Sequence, residues 1–289
     1  RHHNILINGP PGAGKTMLAK TAANLLPDLT QDEQISVNKI YSLVDNHTEP
    51  ICFRPFRSPH HTASLTSLIG GGSKALPGEI SLAHLGVLFL DEFPEYPKSL
   101  IESLRQPLED KKISINRTLC KSTYPADFIL IATMNPCPCG FFGSKTTSCT
   151  CTPTQIALYS KKISGPILDR IDIHVSVSSV DTSTILKTSS SPNSEHNRAK
   201  SDIKNAIKAQ FSRNPSKKYN SSLSTKELTS LLNISDPAKL ILDSASKTLN
   251  LTARSYLKTL KVAQTIADIE LSPEISEKHI TEALQYRNK

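Results

Sequence analysis

Short apolar runs recur along the first part of the chain, separated by segments with helical spacing of their apolar positions. The runs of strand length are residues 5–7, 87–90, 128–132 and 171–177. Such runs are typical of parallel strands that are buried on both faces of a sheet. We therefore predict an α/β fold, a parallel sheet flanked by helices, for this part of the chain.

The pattern changes after this region. Residues 176–194 are rich in Ser, Thr, Pro and Asn, as in a flexible linker or a surface excursion. We assign residues 1–177 to the α/β core, 178–197 to a Ser/Thr-rich linker and 198–289 to an all-α domain.

Helix start signals support the all-α assignment. Ser224 and Glu227 have the spacing of a capping box. Asp236 is expected to be an N-cap before Pro237, and Thr252 is expected to cap the next helix. We expect a small bundle of about four or five helices.

The positive charge is concentrated in the predicted helical domain. The chain has a net charge of +8, from 34 basic and 26 acidic residues. Residues 198–289 hold 16 Lys and Arg against 9 Asp and Glu, which is +7, so the rest of the chain is nearly neutral at +1. A polyanionic partner would explain this distribution, and a cationic solvated surface is the alternative.

Composition limits the class of protein. A hydrophobic content of 37% is enough for a buried core. No apolar run approaches the roughly 20 residues that cross a bilayer, and no signal peptide opens the chain. We expect a cytoplasmic protein without a membrane partner, and a fragment, since the chain begins with Arg1 rather than Met.

A complete Gly-x4-Gly-Lys-Thr motif follows the first predicted strand and precedes a helical run at residues 17–26. Its residues are Gly9, Pro10, Pro11, Gly12, Ala13, Gly14, Lys15 and Thr16. Backbone N–H groups of such a loop surround phosphate oxygens. We expect Lys15 to contact the β and γ phosphates of ATP, and Thr16 to bind Mg²⁺.

Two carboxylates end the apolar run at residues 87–90. Adjacent residues at a strand end point in different directions, so Asp91 can hold the Mg²⁺ shell while Glu92 polarises the attacking water. Asn135 follows the run at residues 128–132 and is a candidate for contacting water or the γ phosphate, although Asn at a strand end is often a turn former. Together these residues predict ATP hydrolysis.

Four of the six cysteines form two Cys-x-Cys pairs, Cys137 with Cys139 and Cys149 with Cys151. Four thiolates could hold a structural Zn²⁺, but Cys-x2-Cys is the usual spacing, and free thiols on a loop are the alternative. The remaining cysteines, Cys52 and Cys120, are isolated, and we expect both in the core.

Two adjacent histidines lie in a proline-flanked loop. His60 and His61 could contact a polyanion, but hydrogen bonding within the loop is the more common role, and we favour it here.

Several further stretches resemble the ComM/YifB subfamily of magnesium-chelatase-like AAA+ ATPases. They are residues 54–62, 69–73, 77–84, 104–109, 134–140, 165–172 and 283–287, and they span nearly the whole chain. The resemblance implies an AAA+ core with a helical lid. It also implies an N-terminal Lon-protease-like domain that this sequence lacks.

The resemblance assigns roles to individual residues. Arg170 matches the arginine finger, which would reach the nucleotide of a neighbouring subunit, and a salt bridge with Asp169 or Asp172 is the alternative. Arg254 matches the sensor-2 position on the lid. Residues 111–120 correspond to a β-hairpin that faces the pore in related motors.

The resemblance also implies a biological activity: a ring-shaped homo-oligomer, a hexamer, that acts on DNA as a helicase or branch-migration factor in recombination or natural transformation. The alternative within the family is a magnesium-chelatase motor subunit acting on a tetrapyrrole through partner subunits. A nucleotide-binding scaffold without turnover is a third class, and the presence of Glu92 beside Asp91 argues against it.

Overall fold

The computed structural model describes residues 3–44, 49–116, 121–144, 147–178 and 194–287. These residues divide into two compact units. The sheet unit contains the described residues of 4–171 and 175–178, and the helical unit contains residues 3, 172–174 and 194–287.

The described residues form the strands β1 (Ile5–Asn8), β2 (Phe56–Arg57), β3 (Gly70–Gly71), β4 (Leu76–Pro77), β5 (Val87–Leu90), β6 (Lys112–Asn116), β7 (Lys121–Pro125), β8 (Ile129–Met134) and β9 (Ile173–Ser176). Five of these strands form one sheet, in the order β2-β5-β8-β1-β9, and β3/β4 and β6/β7 are two separate pairs. The pairs β2/β5, β5/β8 and β1/β8 are parallel, which confirms the predicted parallel sheet. Parallel pairing brings the carboxyl ends of β1, β5 and β8 to the same edge.

Both faces of this sheet are covered, as the apolar runs predicted. Leu88 and Leu130 pack into one buried cluster, while the adjacent Phe89 and Ile131 pack into another. Alternate side chains of a strand point to opposite faces, so each central strand contributes to both clusters.

Helices flank the sheet. They are α1 (Lys15–Asn24), α2 (Gln31–Tyr41), α3 (Leu65–Ile69), α4 (Glu79–Leu82), α5 (Lys98–Ser103), α6 (Arg105–Asp110), α7 (Pro153–Ser160) and α8 (Gly165–Leu168), with a 3-10 turn at Phe93–Glu95. The first helix begins two residues earlier than predicted. Gly14 is its N-cap in a left-handed conformation, φ 76°, so Lys15 already lies in the first turn.

The helical unit has five helices within the described residues, in agreement with the prediction. They are α9 (Ser194–Arg213), α10 (Thr225–Leu231), α11 (Asp236–Thr248), α12 (Ala253–Ile269) and α13 (Glu277–Gln285). The capping box of Ser224 and Glu227 and the cap at Thr252 are confirmed. The N-cap prediction for Asp236 was wrong, because Ser235 has the extended backbone of a cap and Asp236 is already helical.

Three other predictions concern the linker, the hairpin and the isolated cysteines. Most of the proposed linker, residues 179–193, lies outside the described residues, and α9 begins at Ser194. The predicted hairpin is an antiparallel pair, β6 and β7, that extends to Pro125. The prediction that Cys52 is buried was wrong: its thiol is exposed and lies 3.5 Å from the Pro50 carbonyl oxygen. Cys120 lies outside the described residues.

No helix in the described part of the chain is both long enough and apolar enough to span a bilayer.

Candidate functional site

The candidate site lies at the carboxyl ends of β1, β5 and β8. The loop of residues 9–14 connects β1 to α1, and the Gly9 N–H donates to the Met134 carbonyl oxygen at 3.2 Å. The left-handed backbone of Gly12 and Gly14 turns the loop in a way that L side chains rarely tolerate. The loop therefore places the N-terminus of α1 at the edge where β5 and β8 end.

Lys15 is held inside this loop. Its Nζ donates to the carbonyl oxygens of Gly9 at 2.6 Å and Pro10 at 2.9 Å, and to Asn135 Oδ1 at 2.9 Å. Partial burial lowers the pKa of Lys15, and the carboxylates of Asp91 and Glu92 oppose that shift. The ammonium group therefore lies between the phosphate-binding loop and the end of β8.

Asp91 is held by two hydroxyl groups. Thr16 Oγ1 donates to Asp91 Oδ2 at 3.0 Å, and Thr133 Oγ1 donates to the other carboxylate oxygen. A hydroxyl beside a carboxylate supplies the oxygen ligands that Mg²⁺ prefers. Thr16 and Asp91 therefore fit a magnesium ion together.

Glu92 follows Asp91 and has an unusual backbone conformation. It has φ 52° and ψ 48°, a left-handed conformation that is uncommon for a residue with a side chain. Its N–H donates to Thr133 Oγ1 at 3.1 Å, and its Oε2 lies 3.9 Å from His61 Nδ1. The carboxylate is 55% exposed, so water can reach it.

Asn135 lies directly after β8, and a buried tyrosine lies near its backbone. The Asn135 backbone lies near the hydroxyl of Tyr159, on α7, and opposes the rise in pKa that burial causes there. Burial raises the pKa of this tyrosine to about 12, which keeps it neutral. Asn135 is thus in contact with Lys15 through its side chain, and its main chain lies near α7.

Arg170, just beyond α8, is tied to its own chain. Its Nη2 lies 2.7 Å from Glu109 Oε2, and its Nη1 donates to the Pro166 carbonyl oxygen at 2.6 Å. Its side chain is only 12% exposed. An arginine that acts on a neighbouring subunit would have to leave this pair.

Arg254 belongs to the helical unit, as the second residue of α12, next to the Thr252 cap. Its assignment as a nucleotide sensor stays a prediction.

The four clustered cysteines come together in one loop between β8 and α7. Their sulfur atoms all lie within 4.8 Å of one another. The Sγ of Cys137 is 3.3 Å from that of Cys139 and 3.7 Å from that of Cys149, and Cys139 and Cys149 are 3.6 Å apart. The cluster, with Cys151 as fourth member, could bind a metal ion.

Backbone N–H groups point at these sulfur atoms. Phe142 donates to Cys137 at 3.3 Å, and Cys139 donates to Cys151 at 3.4 Å. Hydrogen bonds from the backbone of Phe141 and of Thr150 lower the pKa of the Cys139 thiol to about 5. Such donors stabilise the thiolate of Cys139, the form that binds metal, whereas burial and the neighbouring cysteines raise the pKa of Cys149 and Cys151.

Comparison with known proteins agrees with this geometry. The family model described as magnesium chelatase, subunit ChlI, matches residues 1–185, and the model for the C-terminal part of that subunit matches residues 193–287. YifB of Escherichia coli is 42% identical over 99% of this chain and 56% of its own length. ComM of Haemophilus influenzae, named a competence protein, is 40% identical over 99% of this chain and 55% of its own.

The chain belongs to the ComM/YifB family. It spans about half the length of these curated relatives. The magnesium-chelatase 67 kDa subunit of Chlorobaculum parvum is more distant, 23% identical over 46% of this chain and 19% of its own length. The expected AAA+ fold, a parallel sheet with a separate C-terminal helical region, is confirmed by the family and the sheet order.

Three residues around the site were not found from the sequence. Thr133 contacts Asp91 and Glu92, and Glu109 contacts Arg170, while Tyr159 lies near the Asn135 backbone. Thr133 had a detectable signal, because it ends the same apolar run that precedes Asn135. The other two are distant in sequence from their partners and carry no motif of their own. His61, which we expected to hydrogen-bond within its loop, has its Nδ1 3.9 Å from Glu92 Oε2.

Proposed function

We propose that this chain binds ATP with Mg²⁺ and hydrolyses it. The observation that carries the proposal is the convergence of Lys15, Thr16, Asp91 and Asn135 through direct hydrogen bonds at one sheet edge. The loop N–H groups and Lys15 bind the phosphates, and Thr16 and Asp91 hold the metal. Bound Mg²⁺ withdraws negative charge from the phosphate oxygens during transfer.

Glu92 is the proposed general base. It accepts a proton from the attacking water, while Asn135 orients that water or the γ phosphate. The exposure of the Glu92 carboxylate supports these roles, because water can reach it while Asp91 is held by Thr16 and Thr133. Exchange of Glu92 for Gln removes the base but keeps the size of the side chain.

We further propose that the protein acts as a ring-shaped homo-oligomer, a hexamer. Arg170 would then exchange its bond to Glu109 for the γ phosphate bound by the adjacent subunit, and Arg254 would sense that nucleotide. Membership of an AAA+ family supports self-association. The half-buried ion pair of Arg170 with Glu109 supports a role as a switch. In a chain outside the ring, this pair would hold the arginine away from any nucleotide.

We propose DNA as the partner on which the motor works, as a helicase or branch-migration factor. On α9, Lys200, Lys204 and Lys208 are exposed at intervals of four residues. This spacing places their charges on one face, about 6 Å apart along the helix axis. A stripe of this kind fits the phosphates of a nucleic acid backbone, and the name of the competence protein ComM is consistent with a role in DNA uptake.

The DNA proposal is tested on the full-length protein. ATP hydrolysis is measured with and without branched DNA, and DNA affinity is measured against salt concentration. Exchange of Lys200, Lys204 and Lys208 for Ala should lower the salt slope by up to about 3, because each phosphate contact contributes about 0.9.

The matched control removes three exposed lysines from other helices of the same unit. They are Lys226, Lys239 and Lys247. Equal effects of the two triple variants would show that only net charge matters. If single-stranded, duplex and branched DNA all leave the hydrolysis rate unchanged, the DNA proposal is abandoned.

The alternative function is that of a magnesium-chelatase motor subunit. The family model and the Chlorobaculum relative support it, but the coverage and identity of that relative are lower than for YifB and ComM. Chelation of a tetrapyrrole reconstituted with partner subunits would reverse this ranking.

We propose Zn²⁺ as the ion bound by Cys137, Cys139, Cys149 and Cys151. Tetrahedral Zn–S bonds of about 2.3 Å place sulfur atoms about 3.8 Å apart. The separations of 3.6 and 3.7 Å are close to this value, and that of Cys137 and Cys139, at 3.3 Å, is shorter. Elemental analysis should give one zinc per chain. Iron in its place, or no metal in protein purified without chelators, would contradict the assignment.

A further inference from the structure

The cysteine loop begins and ends beside the nucleotide site. Asn135, which contacts Lys15, lies two residues before Cys137. The loop then returns after Cys151 into α7, where the hydroxyl of Tyr159 lies near the Asn135 backbone. Both ends of the cysteine loop therefore lie close to the same asparagine.

Gly140, in the middle of this loop, touches the phosphate-binding loop directly. A Cβ built on Gly140 would lie 2.6 and 2.7 Å from two ring carbons of Pro11, and 3.8 Å from the side chain of Asn135. Contacts below 3.0 Å are too short for a real Cβ. The backbone at Gly140 thus packs against Pro11 with no room for a side chain.

The four sulfur atoms determine where Gly140 lies. Gly140 follows Cys139 and donates its N–H to the Cys137 carbonyl oxygen at 2.9 Å. A metal ion that binds both pairs of cysteines would fix this turn at a point where its backbone supports Pro11. Loss of the ion would remove the bonds that join the two cysteine pairs and leave the turn with weaker hydrogen bonds from backbone N–H groups to sulfur.

We propose that metal bound by the four cysteines holds Pro11 and Asn135 in place, so that ATP binding and hydrolysis depend on it. The inference rests on the proposed ATPase activity and on the proposed zinc site. The metal acts through position alone and takes no part in the reaction. Misplacement of a catalytic group by about 1 Å can slow a reaction about a hundredfold.

The first test removes the metal by exchanging Cys149 and Cys151 for Ser in the full-length protein. Zinc content, affinity for a fluorescent ATP analogue and kcat are measured with excess Mg²⁺. We expect zinc to be lost and kcat to fall by about tenfold to a hundredfold. The control Cys52→Ser removes an exposed thiol outside the cluster and should change none of the three. Cys151→His, which retains four metal ligands, should restore zinc and most of the activity.

The second test separates the contact from the metal. Gly140 and Gly143 both have positive φ, 85° and 76°, but an added Cβ at Gly143 meets nothing within 4 Å. Gly140→Ala and Gly143→Ala therefore introduce similar backbone strain, and only the first presses on Pro11. We expect Gly140→Ala to weaken ATP-analogue binding or lower kcat by about tenfold or more while zinc is retained, and Gly143→Ala to behave as the wild type.

Each outcome has a distinct meaning. If the wild-type protein hydrolyses ATP with Mg²⁺ but contains no metal at the four cysteines, the zinc site is overturned and this inference with it. A variant of Cys149 and Cys151 that loses zinc but keeps the wild-type rate overturns the coupling and leaves the zinc site standing. Equal effects of Gly140→Ala and Gly143→Ala would overturn the contact with Pro11. A wild-type protein with zinc but no hydrolysis under any condition would refute the ATPase proposal instead.

Discussion

Thr133 joins the two carboxylates of the candidate site, and Thr133→Val tests that connection. The hydroxyl donates to Asp91 and accepts from the Glu92 N–H. The side chain is fully buried, with 0% exposure. Valine has nearly the same shape, so the variant removes two hydrogen bonds with little change in packing.

The size of the effect follows from those two bonds. A hydrogen bond to a charged group contributes about 1.5 to 3 kcal/mol and a neutral one about 0.5 to 1.5 kcal/mol, so the variant loses about 2 to 4 kcal/mol. If about half of this loss, about 1 to 2 kcal/mol, is felt in the transition state, kcat falls by about fivefold to thirtyfold. Binding of ATP should change less, because the hydrogen bonds of Thr133 go to Asp91 and Glu92, whereas Lys15 is held by Gly9, Pro10 and Asn135.

The assay is single-turnover ATP hydrolysis, with affinity for an ATP analogue measured separately. Thr133→Ser keeps the hydroxyl and is the matched control, expected to remain within a few-fold of the wild type. The reasoning is refuted if Thr133→Val hydrolyses ATP at the wild-type rate, or if the serine variant is as slow as the valine variant.

Three further predictions concern the site and the helical unit. Glu92→Gln should bind ATP but hydrolyse it about a hundredfold or more slowly; a wild-type rate would refute the role of general base. Lys15→Ala should abolish ATP-analogue binding, and unchanged affinity would remove this lysine from the site. Arg213→Ala should lower the free energy of unfolding, measured by urea titration, by about 3 kcal/mol. The variant leaves the carboxylate of Asp268, which is 1% exposed and bonded to Arg213 at 2.6 and 3.0 Å, without its cation. Arg213→Lys keeps the charge and should cost less, and equal losses in the two variants would contradict an effect of charge.

The phosphate-binding motif could be found from the sequence because its parts are contiguous. Residues 9–16 supply the loop, the cation and the hydroxyl in one stretch, and the strand before them is an apolar run. Asp91, Glu92 and Asn135 could be added because they end other runs, and parallel strands share one carboxyl edge. The cysteine pairs were also visible, although spacing alone left free thiols open.

Helix boundaries were less well determined, since caps depend on backbone conformation as well as residue type. Asp236 is a favourable N-cap residue, yet Ser235 takes that position. Cys52, expected in the core because cysteine is usually buried, is exposed. The packing of the chain around these positions, and not the residue type alone, determines where the helix begins and whether the thiol is exposed.

Sequence by itself thus determined which candidate ligands for phosphate and metal this chain carries, because such residues occur in short local patterns at strand ends. Tertiary structure alone decided how those groups are held. Thr133 reaches Asp91 across neighbouring strands, Glu109 holds Arg170, and Gly140 packs on Pro11. Each contact joins residues far apart in the chain, and its strength comes from burial and close approach, which no local pattern records.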